Sequence, residues 1–339
     1  LEAIAQHGAA YARSGPLADA LLDDQKAYGG LLTADDLQAY EVKQHQPILI
    51  PYREYEILLP RPCSTGGVLT AFTLKLLSTF NVGHWEHGSA EHVQLLIEAM
   101  SATTRARRHW EQALANMPID KAVDRFLNDE FVKNFAAETA MSLWKGRPNK
   151  FVDEVQGKPN TSHMSVIDGQ GMAVSLTTTA GESAGYVVPG TGYIPNNMLG
   201  EEDLHPNGFH TGTPGERINT MMTPVVVLKN GRIKLVVGSG GSIRIRSAIL
   251  QVISNALDFG WPLDKAVEAP RVHVEKQIVQ CEHGYNPAAV DEIEALGYEV
   301  NRWQERSMYF GGAHSVGFLE DGTPIGAGDT RRNGSVAYG

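Results

Sequence analysis

Lys158-Pro159-Asn160-Thr161-Ser162-His163-Met164-Ser165-Val166-Ile167-Asp168 is the stretch on which the reading of this chain turns. Before it, the run from Trp144 to Lys150, continuing to Gly157-Lys158-Pro159, has the Pro, Gly and charge content of an exposed loop. From Ser162 to Asp168 polar and apolar residues partly alternate, as on a half-buried strand. A strand therefore begins at a threonine. A threonine hydroxyl is a weak nucleophile unless a base stands beside it, and the residue's own α-amine, titrating at roughly 7.7 to 8.0, is such a base once freed. Freeing it requires scission of the Asn160-Thr161 bond, which the hydroxyl can perform itself: it attacks the Asn160 carbonyl, the amide becomes an ester, and water hydrolyses the ester. Asn160 and Thr161 are thus a candidate cleavage site and Thr161 a candidate nucleophile. Taken alone, Asn-Thr-Ser reads more readily as an ordinary strand start, because short motifs recur by chance.

The surroundings change that balance. The stretch resembles the start of the small subunit in the γ-glutamyltranspeptidase family, N-terminal-nucleophile hydrolases whose pattern there is Asn-Thr-Thr-His followed by a strand ending in Asp. The resemblance continues through Gly171 to Thr179, Asn196-Asn197, Arg217 to Pro224, Gly238-Ser-Gly-Gly-Ser242 and Glu268-Ala-Pro-Arg271. It also reaches back through Gly29 to Leu37 and Pro62-Cys-Ser-Thr-Gly-Gly67. Such a likeness implies an α+β fold, a four-layer αββα sandwich of the N-terminal-nucleophile hydrolase type. Residues 1–160 would be the rear of the large-subunit region and residues 161–339 the small-subunit region, all in one structural domain. The family's large subunit has an upstream part that this chain lacks, including an arginine that clamps a substrate carboxylate. An exposed sheet edge or helix face is expected in consequence.

Bulk properties exclude several other classes. With 339 residues, 42% apolar and 20% charged, the chain has material for a large core and no low-complexity tract. A net charge of −10 and an isoelectric point near 5.6 argue against nucleic acid or an acidic membrane as partner. No apolar run approaches the length of a membrane span. Cys63 and Cys281 are too few for a disulfide framework. Family members are mostly exported, so the resemblance favours a periplasmic or secreted location, and it admits a homodimer or a heterodimer of cleaved subunits.

Further candidate residues follow in chain order. Met172 to Thr177 reads as a second strand, paired with the first through the Asp168-Gly-Gln-Gly171 turn, and brings Thr177 to Thr179 to the nucleophile's end. By resemblance Thr179 is the threonine whose hydroxyl bonds the nucleophile, although β-branched residues also suit any strand. The loop from Ala180 to Gly192 is shorter than the family's, which leaves Glu182 and Ser183 without a secure role. Asn197 matches a substrate-binding asparagine. An acid shortly after it holds the substrate's α-ammonium in the family, which makes Glu201 or Glu202 the candidate here. Where the family has two adjacent serines that bind the α-carboxylate, this chain has Thr220 and Met221; Thr220 can still donate a hydrogen bond and Met221 cannot.

Asn230-Gly231 between Val225–Leu228 and Ile233–Val237 is a strong hairpin signal. The second of these strands runs into Gly238-Ser239-Gly240-Gly241-Ser242, which opens a helix from Ile243 to about Leu257. The pattern fails as a dinucleotide or P-loop fingerprint, since Ile243 stands at the third glycine position and no P-loop lysine is present. As an oxyanion hole it fits, because glycines let N–H groups approach a developing negative charge at a helix N-terminus. Gly240, Gly241 and Ser242 are the candidates. Helices are expected over residues 68–78, 90–115, 121–141 and 287–296, and strands over 47–50 and 55–59 around a turn at Pro51-Tyr52-Arg53. His84, His87 and His92 with Glu86 suggest metal ligands only weakly, since they lie in a Gly-containing turn; solvated histidines before a helix are the better reading, and no metal site is assigned. Asp329-Thr330-Arg331 resembles the family's late Asp-Pro-Arg and carries no assigned chemistry.

The function that the resemblance implies is transfer or hydrolysis of γ-glutamyl amides such as glutathione through an acyl-enzyme on Thr161, with no cofactor. An amidase or acylase of other acyl specificity is the alternative from the same chemistry, and a non-catalytic fragment is the alternative from a different class.

Overall fold

The computed structural model describes residues 1–149, 151, 161–205, 208–209 and 211–339. Four short helices open the chain, α1 (Glu2–His7), α2 (Ala10–Arg13), α3 (Pro16–Tyr28) and α4 (Ala34–Ala39). At the start of α4, Thr33 and Asp36 exchange hydrogen bonds as a capping box, which satisfies two donors that the first turn leaves open. Strands β1 (Ile48–Tyr52) and β2 (Tyr55–Leu59) follow. Their turn lies at Arg53-Glu54, one step later than Pro51-Tyr52-Arg53, because Tyr52 is fully buried and pairs with Tyr55.

The helices α5 (Thr65–Leu77), α6 (Ala90–Asn116), α7 (Ile119–Phe126) and α8 (Asp129–Lys145) come next. The single helix expected over 121–141 is thus two, divided where the Asn128 side chain accepts from the backbone N–H of Glu130 and Phe131 and caps α8. After α8 come β3 (Thr161–Ile167), β4 (Ala173–Thr179), β5 (Val225–Lys229) and β6 (Arg232–Gly240). The last two join through Asn230 and Gly231 at φ 52° and 72°, the left-handed pair that a two-residue hairpin turn needs. The remainder is α9 (Arg244–Leu257), α10 (Leu263–Glu268), β7 (Val272–Glu275), β8 (Ile278–Cys281), α11 (Pro287–Ala295), β9 (Glu299–Arg302), β10 (Gly312–Phe318) and β11 (Pro324–Ala327).

Six strands form one antiparallel sheet in the order β1-β2-β5-β6-β10-β11. It draws strands from both sides of residue 160. On one face, α5 and α9 cover it, and Leu235 and Val237 of β6 join Ile245, Ile249 and Val252 of α9 in the core. The other face receives the β3-β4 hairpin, which packs on β6 and β10. Among the described residues the layers are therefore helices, sheet and hairpin; β7, β8 and β9 make a smaller sheet beside them.

The hairpin is patterned in an unusual sense. Thr161, His163, Ser165, Ser175, Thr177 and Thr179 turn inward to the sheet, while Met164, Val166, Val174 and Leu176 face out, each between 43% and 53% exposed. Hydrogen bonds replace apolar burial on the inner face. His163 bonds the hydroxyls of Thr177 (2.8 Å) and Ser165 (2.9 Å), Ser165 donates to the His314 carbonyl (3.0 Å), and Ser175 donates to the Val237 carbonyl (3.2 Å).

Candidate active site

Thr161 is the first residue of β3, 9% exposed, and lies opposite Thr179, the last residue of β4. Its hydroxyl donates to Thr179 Oγ1 at 3.3 Å, and Thr179 Oγ1 also accepts the Gly181 backbone N–H at 3.0 Å. The hydroxyl of Thr179 is thereby aimed by the turn that leaves its own strand. Asn160 and the segment 152–159 lie outside the described residues, so the proposed scissile bond is seen from its Thr161 side alone.

The carbonyl side of Thr161 rests on β6. A Cβ added at Gly240 would fall well inside contact distance of the Thr161 carbonyl, and one at Gly238 would enter the His163 ring. Glycine at these two positions lets β3 lie against β6. Directly after Gly240 the chain turns from strand to helix, with Gly241 at φ 136° and Ser242 at φ 53°, and α9 starts two residues on. A left-handed residue followed by right-handed Ile243 turns successive N–H groups to one side, the geometry of an anion-binding concavity. Gly240 thus lies against the Thr161 carbonyl, and Gly241 and Ser242 lead from it into the helix.

Asn197 and Glu201 also come to this end of the hairpin. Asn197 Oδ1 accepts the Glu182 backbone N–H at 2.6 Å, Asn197 N–H donates to the Ala180 carbonyl at 3.2 Å, and Gly181 packs against both Asn197 Oδ1 and Glu201 Oε1. Glu201 is buried, whereas Glu202 is exposed. Thr220 is held on the turn that opens α5. Its N–H donates to the Cys63 carbonyl (2.9 Å), its carbonyl accepts from Gly66 (3.1 Å), and its hydroxyl accepts from Met222 N–H (3.1 Å). Met221 is buried beneath it.

One residue of this neighbourhood escaped the sequence reading. Arg332 Nη1 lies 3.5 Å from the Thr161 carbonyl and Nη2 lies 3.4 Å from the Met308 carbonyl, while its stem packs over Gly312 and its guanidinium over Gly240 and Gly241. Among the described residues Arg332 has no carboxylate partner, and its buried Nε has no hydrogen-bond partner. Burial and the Arg244 charge lower its proton affinity. The adjacent residues hold it there. Arg331 is buried against Glu282 (2.6 Å) and Asp329 (3.2 Å), and Asp329 also pairs with buried Arg271 (2.7 Å) and accepts the Ala313 N–H (2.8 Å). Burial alone would raise the Asp329 carboxyl, but the Arg271 and Arg331 cations hold it below the usual range. Nothing in the local sequence signals this, since the contact of Arg332 with Thr161 spans 171 positions.

Of the histidines near residue 90, His84 is exposed as expected, whereas His87 is half-buried and His92 buried, contrary to expectation. His92 is 1% exposed and accepts the Gly88 N–H at Nδ1 (3.0 Å), and His87 bonds Asn255 (2.8 Å) while stacking near Trp261. Burial drives the His92 ring down to about 3. Among the described residues no group of three or more His, Cys, Asp or Glu side chains could hold a metal ion, and no helix is long and apolar enough to cross a membrane.

Comparison with known proteins agrees with this geometry. In curated sequences, the chain is 34% identical over 339 residues to an acylase ACY 1 proenzyme of Pseudomonas sp. (strain V22), covering 99% of this chain and 59% of that protein. It is 31% identical over 342 residues to the glutathione hydrolase proenzyme of Bacillus subtilis (strain 168), covering 95% and 57%. The chain therefore spans under two thirds of the length of these relatives. Among solved structures, the cephalosporin acylase from Bacillus halodurans superposes with a TM-score of 0.81 at 23% identity, over 99% of this chain and 61% of that one, a likeness of fold. The gamma-glutamyltranspeptidase family profile matches residues 1–339, and the chain belongs to that family.

Proposed function

We propose that this chain carries the nucleophile half of an amide hydrolase or acyl transferase that frees its own N-terminal threonine by cleavage at Asn160-Thr161. The observation that carries the reading is the seat of Thr161: a buried strand start, its hydroxyl on Thr179, its carbonyl on Gly240 at a strand-to-helix turn. In the acylation step the Oγ–H proton passes to the freed α-amine as Oγ bonds the substrate's carbonyl carbon. The carbonyl oxygen gains negative charge and meets the Gly240 to Ser242 turn. The amine then returns its proton to the leaving nitrogen as the C–N bond breaks, leaving an ester on Thr161. Water or an acceptor amine takes the acyl group. No cofactor enters the scheme.

The substrate class we assign is the γ-glutamyl amide, as in the relatives named glutathione hydrolase, with Asn197 and buried Glu201 holding the α-ammonium, Thr220 a carboxylate contact, and exposed Glu202 the lesser candidate. A second reading is an acylase for another acyl group. It is favoured by buried Met221 at the second carboxylate position, and by a relative named acylase at 34% identity. The four-layer sandwich, the one-domain organisation split at 160/161, and an extracytoplasmic location belong to the same proposal.

Intact mass and N-terminal sequencing after incubation at neutral pH test the core of it. Wild type is expected to split, with the second piece beginning Thr-Ser-His-Met, while Thr161→Ala stays whole. A wild type that remains whole leaves an inert fragment as the better description. Turnover of a γ-glutamyl anilide against the matching glutaryl anilide, which lacks the α-ammonium, then separates the two substrate readings: faster γ-glutamyl turnover supports a Glu201 site, and faster glutaryl turnover supports the acylase.

A further inference from the structure

Arg332 has the features of a group set to act on its neighbour rather than to stabilise the fold. Its guanidinium is part-buried, has no carboxylate partner among the described residues, and lies over two glycines, 3.4 Å from where a Cβ on Gly240 would stand and 3.8 Å from where one on Gly241 would. The buried pairs of Arg331 and Asp329 fix its backbone, while its own charge points at the Thr161 carbonyl. Covalent geometry puts the nitrogen of a residue within about 4 Å of its own carbonyl oxygen. A free amine on Thr161 would therefore stand close to a cation that no carboxylate contacts directly among the described residues.

We propose that Arg332 is the positioning residue of the nucleophile: it holds the Thr161 carbonyl against the Gly240 turn, and its charge keeps the freed Thr161 α-amine in the unprotonated form that can accept the hydroxyl proton. Like charges brought together in a low-dielectric site disfavour the second charge, and here the second charge is the ammonium. Other titratable groups lie around this point. From β3 and β10 come His163 and His314, both pushed towards the neutral form by burial. From α9 comes Arg244, a second cation that also faces Tyr309 and pairs with Glu275 at 3.8 Å. The Asp329 charge is committed to Arg271 and Arg331, and the loop after β4 contributes Glu182 and Glu201, the latter packed on Gly181. The inference rests on the reading of Thr161 as a self-freed nucleophile.

The test follows the amine itself. The cleaved protein is treated with a small acylating reagent across pH 5 to 9, and mass spectrometry reads the labelling of the 161–339 piece, whose mass separates Thr161 from the α-amine of Leu1. In wild type the Thr161 amine is expected to titrate about one pH unit below the ordinary range of roughly 7.7 to 8.0. In Arg332→Gln it should return to that range, and in Arg332→Lys, which keeps the charge, it should stay low. The acid limb of the pH–rate profile for amide hydrolysis should move with it. A wild-type amine that titrates in the ordinary range overturns the proposal even if neither variant folds. So does an Arg332→Gln amine that titrates as wild type. A wild type that is never cleaved overturns the underlying reading and this inference with it, whereas cleavage with an unshifted amine overturns the Arg332 role alone.

Discussion

At the scale of single residues, the site depends on small groups that leave room. Thr179 offers one hydroxyl to Thr161 at 3.3 Å, so Thr179→Val, which keeps the shape and removes the oxygen, should slow both self-cleavage and acyl transfer. One hydrogen bond to a reacting group is worth about 1.4 to 3 kcal/mol, or roughly 10- to 100-fold in rate. Cleavage half-times by gel densitometry would show it; equal half-times for variant and wild type would remove Thr179 from the mechanism. Gly240→Ala is the complementary change, adding a methyl where the Thr161 carbonyl already lies. We expect about 1 to 3 kcal/mol of destabilisation and loss of cleavage, read by urea unfolding and intact mass. An unaffected variant would mean that β3 and β6 can part without cost.

Elements that announce themselves locally were the legible part of the sequence. Asn230-Gly231 gave the β5-β6 hairpin because two left-handed residues between apolar runs admit few alternatives, and α6 matched its expected span to within a residue because its periodicity is long. The break between α7 and α8 was missed, since the apolar spacing runs on through Leu127 while the interruption is carried by one Asn128 side chain. Asn128→Ala should therefore cost about 1 kcal/mol, the usual value of an N-cap, as a lowered urea midpoint with unchanged slope. The β7-β8-β9 sheet was also illegible: each strand has four residues, too few for a period to register. Of the candidate site, strand order brought Thr177 to Thr179 to the end where Thr161 stands and glycine content marked the Gly240 turn, while the roles of Thr161 and Thr179 came from the family resemblance and Arg332 reaches Thr161 through the fold alone.

At the scale of the molecule, His92 and His163 are two of the described groups whose burial makes the fold sensitive to acid. Burial drives His92 and His163 to about 3 in the folded state, against an ordinary value of 6.5. Each is depressed, so the unfolded chain binds more protons below pH 6.5. Stability is full above that point and declines as pH falls towards 3, by about 1.4 kcal/mol per pH unit for each ring. Thermal midpoints measured from pH 7.5 to 4.5 should fall accordingly, and a flat profile would mean that the rings are not buried as described. Asp329 adds to the same trend lower down, because its depressed carboxyl stabilises above the ordinary 3.8 and is lost as pH drops through its folded value. Asp329→Asn would leave Arg271 and Arg331 buried with one partner weakened, at about 3 to 5 kcal/mol, measurable by the urea midpoint.

The hairpin that carries Thr161 shows its polar side to the protein and its apolar side to the outside. Most strands are indexed by oil: slip them by one residue and the greasy set leaves the core, while a slip of two restores it. Here the indexing is done by directional bonds between particular atoms: a two-residue slip of β3 along β4 breaks His163 to Thr177 and Thr161 to Thr179, and one of β4 along β6 breaks Ser175 to Val237. The strand behaves as a key with cut teeth, and only one insertion depth sets Thr161 at the lock.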